Sequence, residues 1–163
     1  MAFASGGFHG LKYVTETSFG VTPSLPTMAE LRHTSCSLVL GKDSLQSKEL
    51  LHDRQISDMR HGVPNVSGSI GFEFSYGEFD TLFAAAISGT WDADVLDAGT
   101  TVPYFSFERG FSDIGQYQLF TGCAVNKLSL DLRTNAMVTG SFDIVGKAAT
   151  FATSIAASTT TKS

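Results

Sequence analysis

Charged residues are scarce in this sequence. Only 17% of its 163 residues are Asp, Glu, Lys or Arg, against about 25% in an average soluble domain. Phenylalanine, by contrast, occurs 13 times. Interfaces between subunits are poor in charge and rich in aromatic residues, so the composition fits either a β-rich domain or a protein largely covered by partners. The formal net charge of −5 argues against a basic face that grips nucleic acid, but it permits a surface past which nucleic acid slides.

The sequence also has few cysteines and no long apolar run. Cys36 and Cys123 match no metal-ligand spacing, which favours two free thiols over a disulfide. Residues 1–10 contain no basic region followed by an apolar stretch, so no signal peptide is expected. No stretch approaches the roughly 18 apolar residues of a transmembrane helix. We therefore expect a protein that is made in the cytoplasm and has no membrane partner.

Catalytic motifs are missing as well. GxSxG, the P-loop and HExxH are all absent, so no enzyme and no cofactor are predicted. The nearest approach to a ligand set is His52, Asp53, Asp58 and His61, but their spacing matches no known metal motif. A solvated loop of mixed charge is the better interpretation. The alternative, a metalloenzyme built on this segment, would bind zinc stoichiometrically.

Residues 52–64 are polar and end in Gly62-Val63-Pro64, which predicts a loop between two strands. At about 13 residues the segment approaches the length at which structureless loops are uncommon and usually functional. Its alternating charges suit pairing with a complementary surface on another subunit. The candidates for this inter-subunit loop are Asp53, Arg54, Asp58, Arg60 and His61.

Alternation of apolar and polar residues predicts seven or eight strands. The clearest is residues 65–76, where Ile70 and Phe72 share one face and Glu73 lies on the other. Because strands and helices do not alternate, the predicted fold is mainly β, a β-sandwich or partly closed barrel with one flanking α-helix. Residues 148–163 are mostly Ala, Ser and Thr. They are predicted to form a tail or linker after a domain at 1–147.

One segment has helical periodicity. Its apolar residues are spaced i, i+3, i+4, i+7 and i+8, which places them on one face of a helix. Ser75 and Glu78 have capping-box spacing at its start. About three turns are too short to be stable alone, so the apolar face must pack on the sheet or on a neighbouring subunit. The predicted packing residues are Phe79, Leu82, Phe83, Ala86 and Ile87.

Residues 108–123, ERGFSDIGQYQLFTGC, resemble a segment characteristic of the tail tube (major tail) proteins of long-tailed bacteriophages. Residues 11–20, 53–62 and 68–91 agree with the same family. Together these segments cover most of residues 11–147. A long ungapped segment is more specific than a short motif, so the sequence is similar to this family over nearly all of its predicted domain.

The resemblance implies a structural virion protein that forms six-fold rings, which stack into a tube for DNA delivery. It implies assembly in the bacterial cytoplasm with a tape-measure protein, a tail terminator and tail-tip proteins. In such a tube the loop at 52–64 is the candidate for stacking rings, followed by the N-terminal segment. Fixed negative charge on the channel wall would keep DNA from sticking. The candidates for acidic residues of the lumen are Glu73, Asp131 and Asp143, although Lys127 and Arg133 share a face with Asp131.

Two other functions fit the same residues. A tail terminator or related injection-tube ring protein would share the fold but stop at a single ring. A β-sandwich binding module would stay monomeric and expose an aromatic patch. Assembly of the purified protein distinguishes all three.

Overall fold

A computed structural model describes residues 4–47, 59–156 and 158–161. It begins with a 3-10 turn at Gly6–Phe8. The further elements are β1 His9–Thr15, β2 Thr27–Glu30, β3 Ser35–Cys36, β4 Val39–Gln46, β5 Met59–Glu73, α1 Asp80–Ala86, β6 Thr90–Asp92, β7 Val95–Asp97, β8 Phe105–Phe111, β9 Gln116–Asp131, β10 Thr139–Gly146, β11 Ala148–Ala152 and β12 Thr159–Thr161.

Two sheets enclose one core. The first sheet contains β12, β2, β1, β8 and the first half of β9, with β11 on the other side of β9. The second contains the second half of β9, then β10 and β5, with β3 and β4 along the outer side of β5. Only β12, which runs parallel to β2, departs from antiparallel pairing among the described strands. The predicted fold class is confirmed, because the chain is mainly β, its sheets are not closed, and one α-helix lies in the described part.

Strand β9 belongs to both sheets. Its first half pairs with β8 and β11, and its second half pairs with β10. Where the halves meet, Gly122 has a φ of 65°, a conformation that costs glycine little and other residues more. A Cβ at this position would lie 2.8 Å from the Cβ of Lys147. The chain can therefore pass from one sheet to the other without breaking the strand.

Phenylalanine fills much of the space between the sheets. Phe105, Phe107 and Phe120 come from the first sheet, and Phe72 and Phe142 come from the second; all five are buried. Their positions follow the alternation of the strands, since every second side chain points to the same face. Full burial of such a side chain contributes roughly 1.5–3 kcal/mol.

Helix α1 packs on this core through most of the predicted residues. Phe79, which directly precedes the helix, and Leu82 are buried, while Phe83 and Ala86 are partly buried against the core. Ile87 follows the last helical residue and is 41% exposed, so its assignment to the packing face is wrong. The periodicity missed Ala85, which is buried.

The predicted capping box at the start of α1 does not form. The residue at the N-cap is Phe79, and no side chain caps the helix there. Glu78 is buried and instead accepts a hydrogen bond from the backbone N–H of Arg32, at 3.3 Å, and forms an ion pair with its guanidinium at 3.5 Å. The helix is thereby tied to the segment that connects β2 with β3.

Two segments differ from their sequence-based predictions. Residues 59–64, predicted as the end of a loop, belong to β5 and pair with β4. Residues 148–152 and 159–161, predicted as part of a tail or linker, are the strands β11 and β12. Backbone hydrogen bonds form both pairings. Because the side chains of these strands are exposed or small, apolar and polar residues hardly alternate along them, and the sequence pattern does not reveal the strands.

Candidate assembly surfaces

The three acidic candidates share one face of the second sheet. Glu73 and Asp131 lie on either side of Thr139 in one cross-strand row. Asp143 lies opposite Lys127 in another row of the same strands. Residues in register across neighbouring strands point to the same side. This face is opposite to the one that carries the buried Phe72 and Phe142, so the core lies behind it.

Between the charged residues this face carries small hydroxyl side chains. Ser141 lies between Gly71 and Ser129, and Ser69 lies beside Asp143. We call the whole surface the hydroxyl face; its residues are Ser67, Ser69, Gly71, Glu73, Lys127, Ser129, Asp131, Thr139, Ser141 and Asp143.

The charge of the hydroxyl face is weakly negative. Arg133 reaches Asp131 with an Nη2–Oδ2 distance of 2.7 Å, and Lys127 lies opposite Asp143. Glu73 has no basic residue opposite it, since its cross-strand neighbour is Thr139. Both members of the Arg133–Asp131 pair are largely exposed, so solvent screens their attraction. Such a surface offers a phosphate backbone few fixed cations to bind.

A two-stranded arm extends from the same sheet. It consists of residues 42–46 of β4 and 59–65 of β5, which pair with each other while β10 pairs with β5 only from Val66 onward. Arg60 and His61 are adjacent on this arm and therefore point to opposite sides of it. Both are exposed. Asp53, Arg54 and Asp58, the other candidates for the inter-subunit loop, and His52 of the metal alternative lie outside the described residues.

Apolar side chains on the arm are unusually exposed. Leu45 and Met59 are largely exposed, and Val63 is 84% exposed. Among the described strands none pairs with the arm as a third strand, and an isolated two-stranded hairpin is at best marginally stable in water. The arm thus has the composition of a surface that is covered by a partner.

Potential metal-ligating side chains do not cluster among the described residues. Within 4–47, 59–156 and 158–161, no three His, Cys, Asp or Glu side chains converge as metal ligands. His9 Nδ1 lies 2.7 Å from His33 Nε2, and His33 Nδ1 lies 3.0 Å from the carbonyl oxygen of Leu31. Burial, followed by the influence of His33 and Arg109, lowers the pKa of His9. The pair is a hydrogen-bonded contact that joins β1 to the segment after β2.

The two cysteines are free thiols. Burial, followed by the nearby carboxylate of Glu16, raises the pKa of Cys123 to about 12, so this thiol stays protonated and unreactive. No helix in the part of the chain that the structure describes is both long and apolar enough to cross a membrane.

Comparison with protein families distinguishes a tail tube protein from the other functions considered for this sequence. The family model described as phage tail tube protein matches residues 9–163, which is nearly the whole chain. The chain belongs to the phage tail tube protein family. It is a structural protein of the tail tube, and its location is the virion. A search of curated protein sequences found no significant match.

Solved structures share the fold of this tail tube protein. The SPP1 tail tube, determined by solid-state NMR and cryo-EM, has a TM-score of 0.60 and 12% identity, covering 91% of this chain and 78% of the other. The tail of an empty GTA particle, refined with C6 symmetry, has a TM-score of 0.59 and 12% identity, covering 91% and 98%. The baseplate of the anti-feeding prophage, six-fold symmetrised, has a TM-score of 0.55 and 8% identity, covering 93% and 97%.

One structural residue of the tail tube protein was missed by the sequence analysis. The buried Glu16 accepts hydrogen bonds from the backbone N–H groups of Gly20, at 2.6 Å, and Gly122, at 2.8 Å, and from the hydroxyl of Ser106, at 2.7 Å. It thereby fixes the loop after β1 to the bend of β9. No local pattern signals this role, because Ser106 and Gly122 are separated from Glu16 by 90 and 106 positions.

Proposed function

We propose that six copies of this tail tube protein close into a ring, and that rings stack into a tube whose lumen conducts DNA. The observation that carries the proposal is the four-stranded sheet β4–β5–β10–β9. One of its faces is in the core and the other is the hydroxyl face. Among the described strands, neither β4 nor the second half of β9 has a partner on its outer side. Open strand edges favour pairing with another chain, and a heterologous contact that closes gives a ring.

The dimensions of such a ring suit a conduit. Neighbouring strands lie about 4.8 Å apart, so six subunits of four strands give a circumference of about 115 Å and a diameter of about 37 Å between backbones. A DNA duplex passes through an opening of this size. The six-fold symmetry of the GTA tail and of the anti-feeding prophage baseplate, which share the fold, supports the number of subunits. A conduit needs no catalytic step and no cofactor.

The hydroxyl face is proposed to line the lumen, with Glu73, Asp131 and Asp143 as its fixed negative charges. The arm is proposed to contact the next ring, with Arg60 and His61 among its exposed residues. Asp53, Arg54 and Asp58, which lie between the two strands of the arm in the sequence, are proposed to take part in the same contact. The proposed partners are other copies of the chain, a tape-measure protein inside the growing tube, a terminator and tail-tip proteins. DNA passes without specific binding.

Assembly of the purified protein tests this proposal. Electron microscopy of concentrated wild-type protein is expected to show hollow tubes of uniform diameter with an axial ring repeat. Val63→Asp is expected to abolish the tubes while the monomer stays folded, because the new charge would be buried unpaired in the contact between rings. Circular dichroism and thermal unfolding check the fold.

Leu25→Asp is the matched control, because Leu25 is also 84% exposed and lies in a loop outside the arm. It is expected to leave the tubes intact. Lone rings from wild-type protein would favour the terminator function. Compact monomers at every concentration, even with a tape-measure protein present, would contradict the proposal.

The lining of the lumen makes a separate prediction. Phage particles that carry Glu73→Arg together with Asp143→Arg are expected to assemble normally but to eject DNA several-fold more slowly. The reason is that each ring then presents cations that bind passing phosphates. Higher salt is expected to relieve the delay. Ejection is measured in bulk by the fluorescence of a DNA-binding dye.

Asp92→Arg together with Asp94→Arg is the matched control for this prediction. The pair changes the net charge by the same amount, but both residues are exposed in and beside the β6–β7 hairpin, away from the hydroxyl face. Equal ejection rates for the two double variants would refute the assignment of the hydroxyl face to the lumen.

A further inference from the structure

A cavity of about 190 Å³ lies on the face of the first sheet that points away from the core. Leu11 and Phe107 are buried in the core, so the residues that alternate with them on β1 and β8 point to the opposite face. On this face Gly10 lies in register with Gly110, and Gly110 lies in register with Tyr117. Two adjacent glycines leave a hole in the layer of side chains, and we call this hole the glycine pocket.

The walls of the glycine pocket are mostly apolar. The ring of Tyr117 lies over Gly110, since a Cβ at Gly110 would come 2.7 Å from its Cδ1 atom. A Cβ at Gly10 would meet no atom within 4 Å, so the open space lies above Gly10. Phe8 and Ile155 also line the cavity, Ile155 from the segment that crosses this face between β11 and β12. Because a cavity of about 150 Å³ holds a benzene ring, the glycine pocket has room for one six-membered ring.

Two residues of opposite charge close one end of the glycine pocket. Lys12 and Glu108 lie in register in the next row of this face, and both line the cavity. Glu108 is only 2% exposed, and its Oε2 atom accepts a hydrogen bond from the backbone N–H of Ala156. Among residues 4–47, 59–156 and 158–161, no second donor reaches this carboxylate and neither charge belongs to an ion pair. Since a buried charge is costly unless it is hydrogen-bonded, Glu108 favours a ligand that supplies a donor.

The two charges and the apolar walls together select the chemistry of the ligand. A hydroxyl group suits both charges at once, because it donates to a carboxylate and accepts from an ammonium group. A ligand with a net charge of either sign would be repelled by Lys12 or by Glu108. An apolar ring face packs on the ring of Tyr117. A pyranose combines these properties, since its C–H groups form apolar faces and its hydroxyls project from the edge.

We propose that the glycine pocket binds a neutral sugar ring. One face of the sugar packs on Tyr117, and one of its hydroxyls lies between Lys12 and Glu108. A ligand of a single ring contacts little surface, so its dissociation constant is expected to be on the order of 1 mM.

The glycine pocket and the hydroxyl face lie on opposite sides of the molecule, because each is on the side of its own sheet that points away from the shared core. With the hydroxyl face in the lumen, the pocket lies on the outer wall of the tube. This location rests on the proposed function, whereas binding by a single chain does not. Linking several weak sites raises the apparent affinity by about 100- to 10,000-fold, so a tube would bind a polysaccharide far more tightly than one subunit binds one sugar.

Saturation-transfer NMR with the whole chain tests the site. The ligands are the methyl pyranosides of glucose, galactose, mannose and N-acetylglucosamine. Sorbitol is the control ligand, because it has the hydroxyls of a hexose but no ring. We expect transfer to at least one pyranoside, strongest at the C–H protons of one ring face, and none to sorbitol.

Two variants locate the binding to the glycine pocket. Gly10→Val is expected to abolish transfer, since the new side chain fills the open space, and to keep or raise the melting temperature, since valine favours strands. If Gly10→Val does not fold, Gly10→Ala gives the same test with a smaller side chain. Glu108→Gln keeps an acceptor for Ala156 but loses the charge, so it is expected to weaken binding at least about five-fold. Glu30→Gln is the matched control, because Glu30 lies on the other side of Lys12 in the same row and is expected to leave binding unchanged.

Three results would overturn the inference: no transfer to any of the pyranosides, equal transfer to sorbitol, or transfer that survives both Gly10→Val and Glu108→Gln. Each of them leaves tube formation untouched. Wild-type protein that never forms tubes would instead contradict the proposed function, and sugar binding by the unassembled chain would still support the glycine pocket.

Discussion

Replacing Phe72 with alanine is expected to lower the free energy of unfolding by about 3–5 kcal/mol. The ring of Phe72 is fully buried at the centre of the second sheet's core. Its centroid lies 4.6 Å from that of Phe142, in a stacked arrangement, and 4.5 Å from that of Phe79. Removing the ring leaves a cavity between the sheet and helix α1, which a helix of two turns cannot fill by itself. Urea denaturation followed by circular dichroism measures the loss.

Phe151→Ala is the matched control for this substitution. Phe151 lies on β11 and is 74% exposed, so its removal is expected to change the free energy of unfolding by no more than about 0.5 kcal/mol. A loss at Phe72 as small as that at Phe151 would show that the aromatic cluster does not hold the helix. Because α1 lies outside the arm and the hydroxyl face, surviving monomers of Phe72→Ala should still carry both surfaces.

The second large effect is expected at Glu16. Glu16→Leu removes the acceptor for the backbone N–H groups of Gly20 and Gly122 while leaving both near the core. Each buried donor without a partner costs about 1–3 kcal/mol, so a total loss of about 2–6 kcal/mol is expected for the two. Ser106 is less affected, because its hydroxyl also contacts the hydroxyl of Thr22 at 2.7 Å.

Glu16→Gln separates the hydrogen bonds from the charge. The amide oxygen of glutamine still accepts from a backbone N–H group, so this variant is expected to retain more than half of the stability that Glu16→Leu loses. Thermal and urea unfolding of the three proteins gives the comparison. Equal stability of Glu16→Leu and wild type would mean that the loop after β1 is not anchored through this carboxylate.

Local periodicity predicted the parts of this fold in which one face is buried. The alternation around Ile70 and Phe72 identified the core strand of the second sheet, because every second residue there is apolar. The spacing of Phe79, Leu82 and Phe83 identified the helix for the same reason. Asn135 lies in the turn before β10, and its φ of 60° is the left-handed conformation that asparagine tolerates.

Local periodicity did not predict strands whose pairing leaves their side chains exposed. Residues 59–64 are polar and exposed, so nothing in their pattern shows that they continue β5 into the arm. The small side chains of β11 and β12 conceal two strands in the same way. The sequence was sufficient to place each acid of the hydroxyl face on the polar side of its strand. It could not predict that Glu73 and Asp131 lie in one row, because that depends on the register of β10 with β5 and with β9.

The exposed apolar side chains beside the β9–β10 turn were hidden for a related reason. Leu132 and Met137 flank a turn, where the sequence shows two isolated apolar residues without a period. They become a surface only because the chain after β5 is held against the same turn. The sequence therefore predicted the class of protein through its family resemblance, whereas the surfaces proposed for assembly could be defined only from the pairing of strands.

The parallel pairing of β12 with β2 cannot form until residues 159–161 have been synthesised, which delays completion of the first sheet. Thr27 and Thr159 hydrogen-bond to each other across 132 positions, and ribosomes add about 5–20 residues per second. Strand β2 therefore waits about 7–26 seconds for its outer neighbour to be synthesised. Strand β1 likewise waits for β8 on its other side, so the first sheet acquires its full set of strands late in synthesis. The first sheet is hence completed only after residues 159–161 have been synthesised, and a chain that lacks them leaves the outer side of β2 open to other strands.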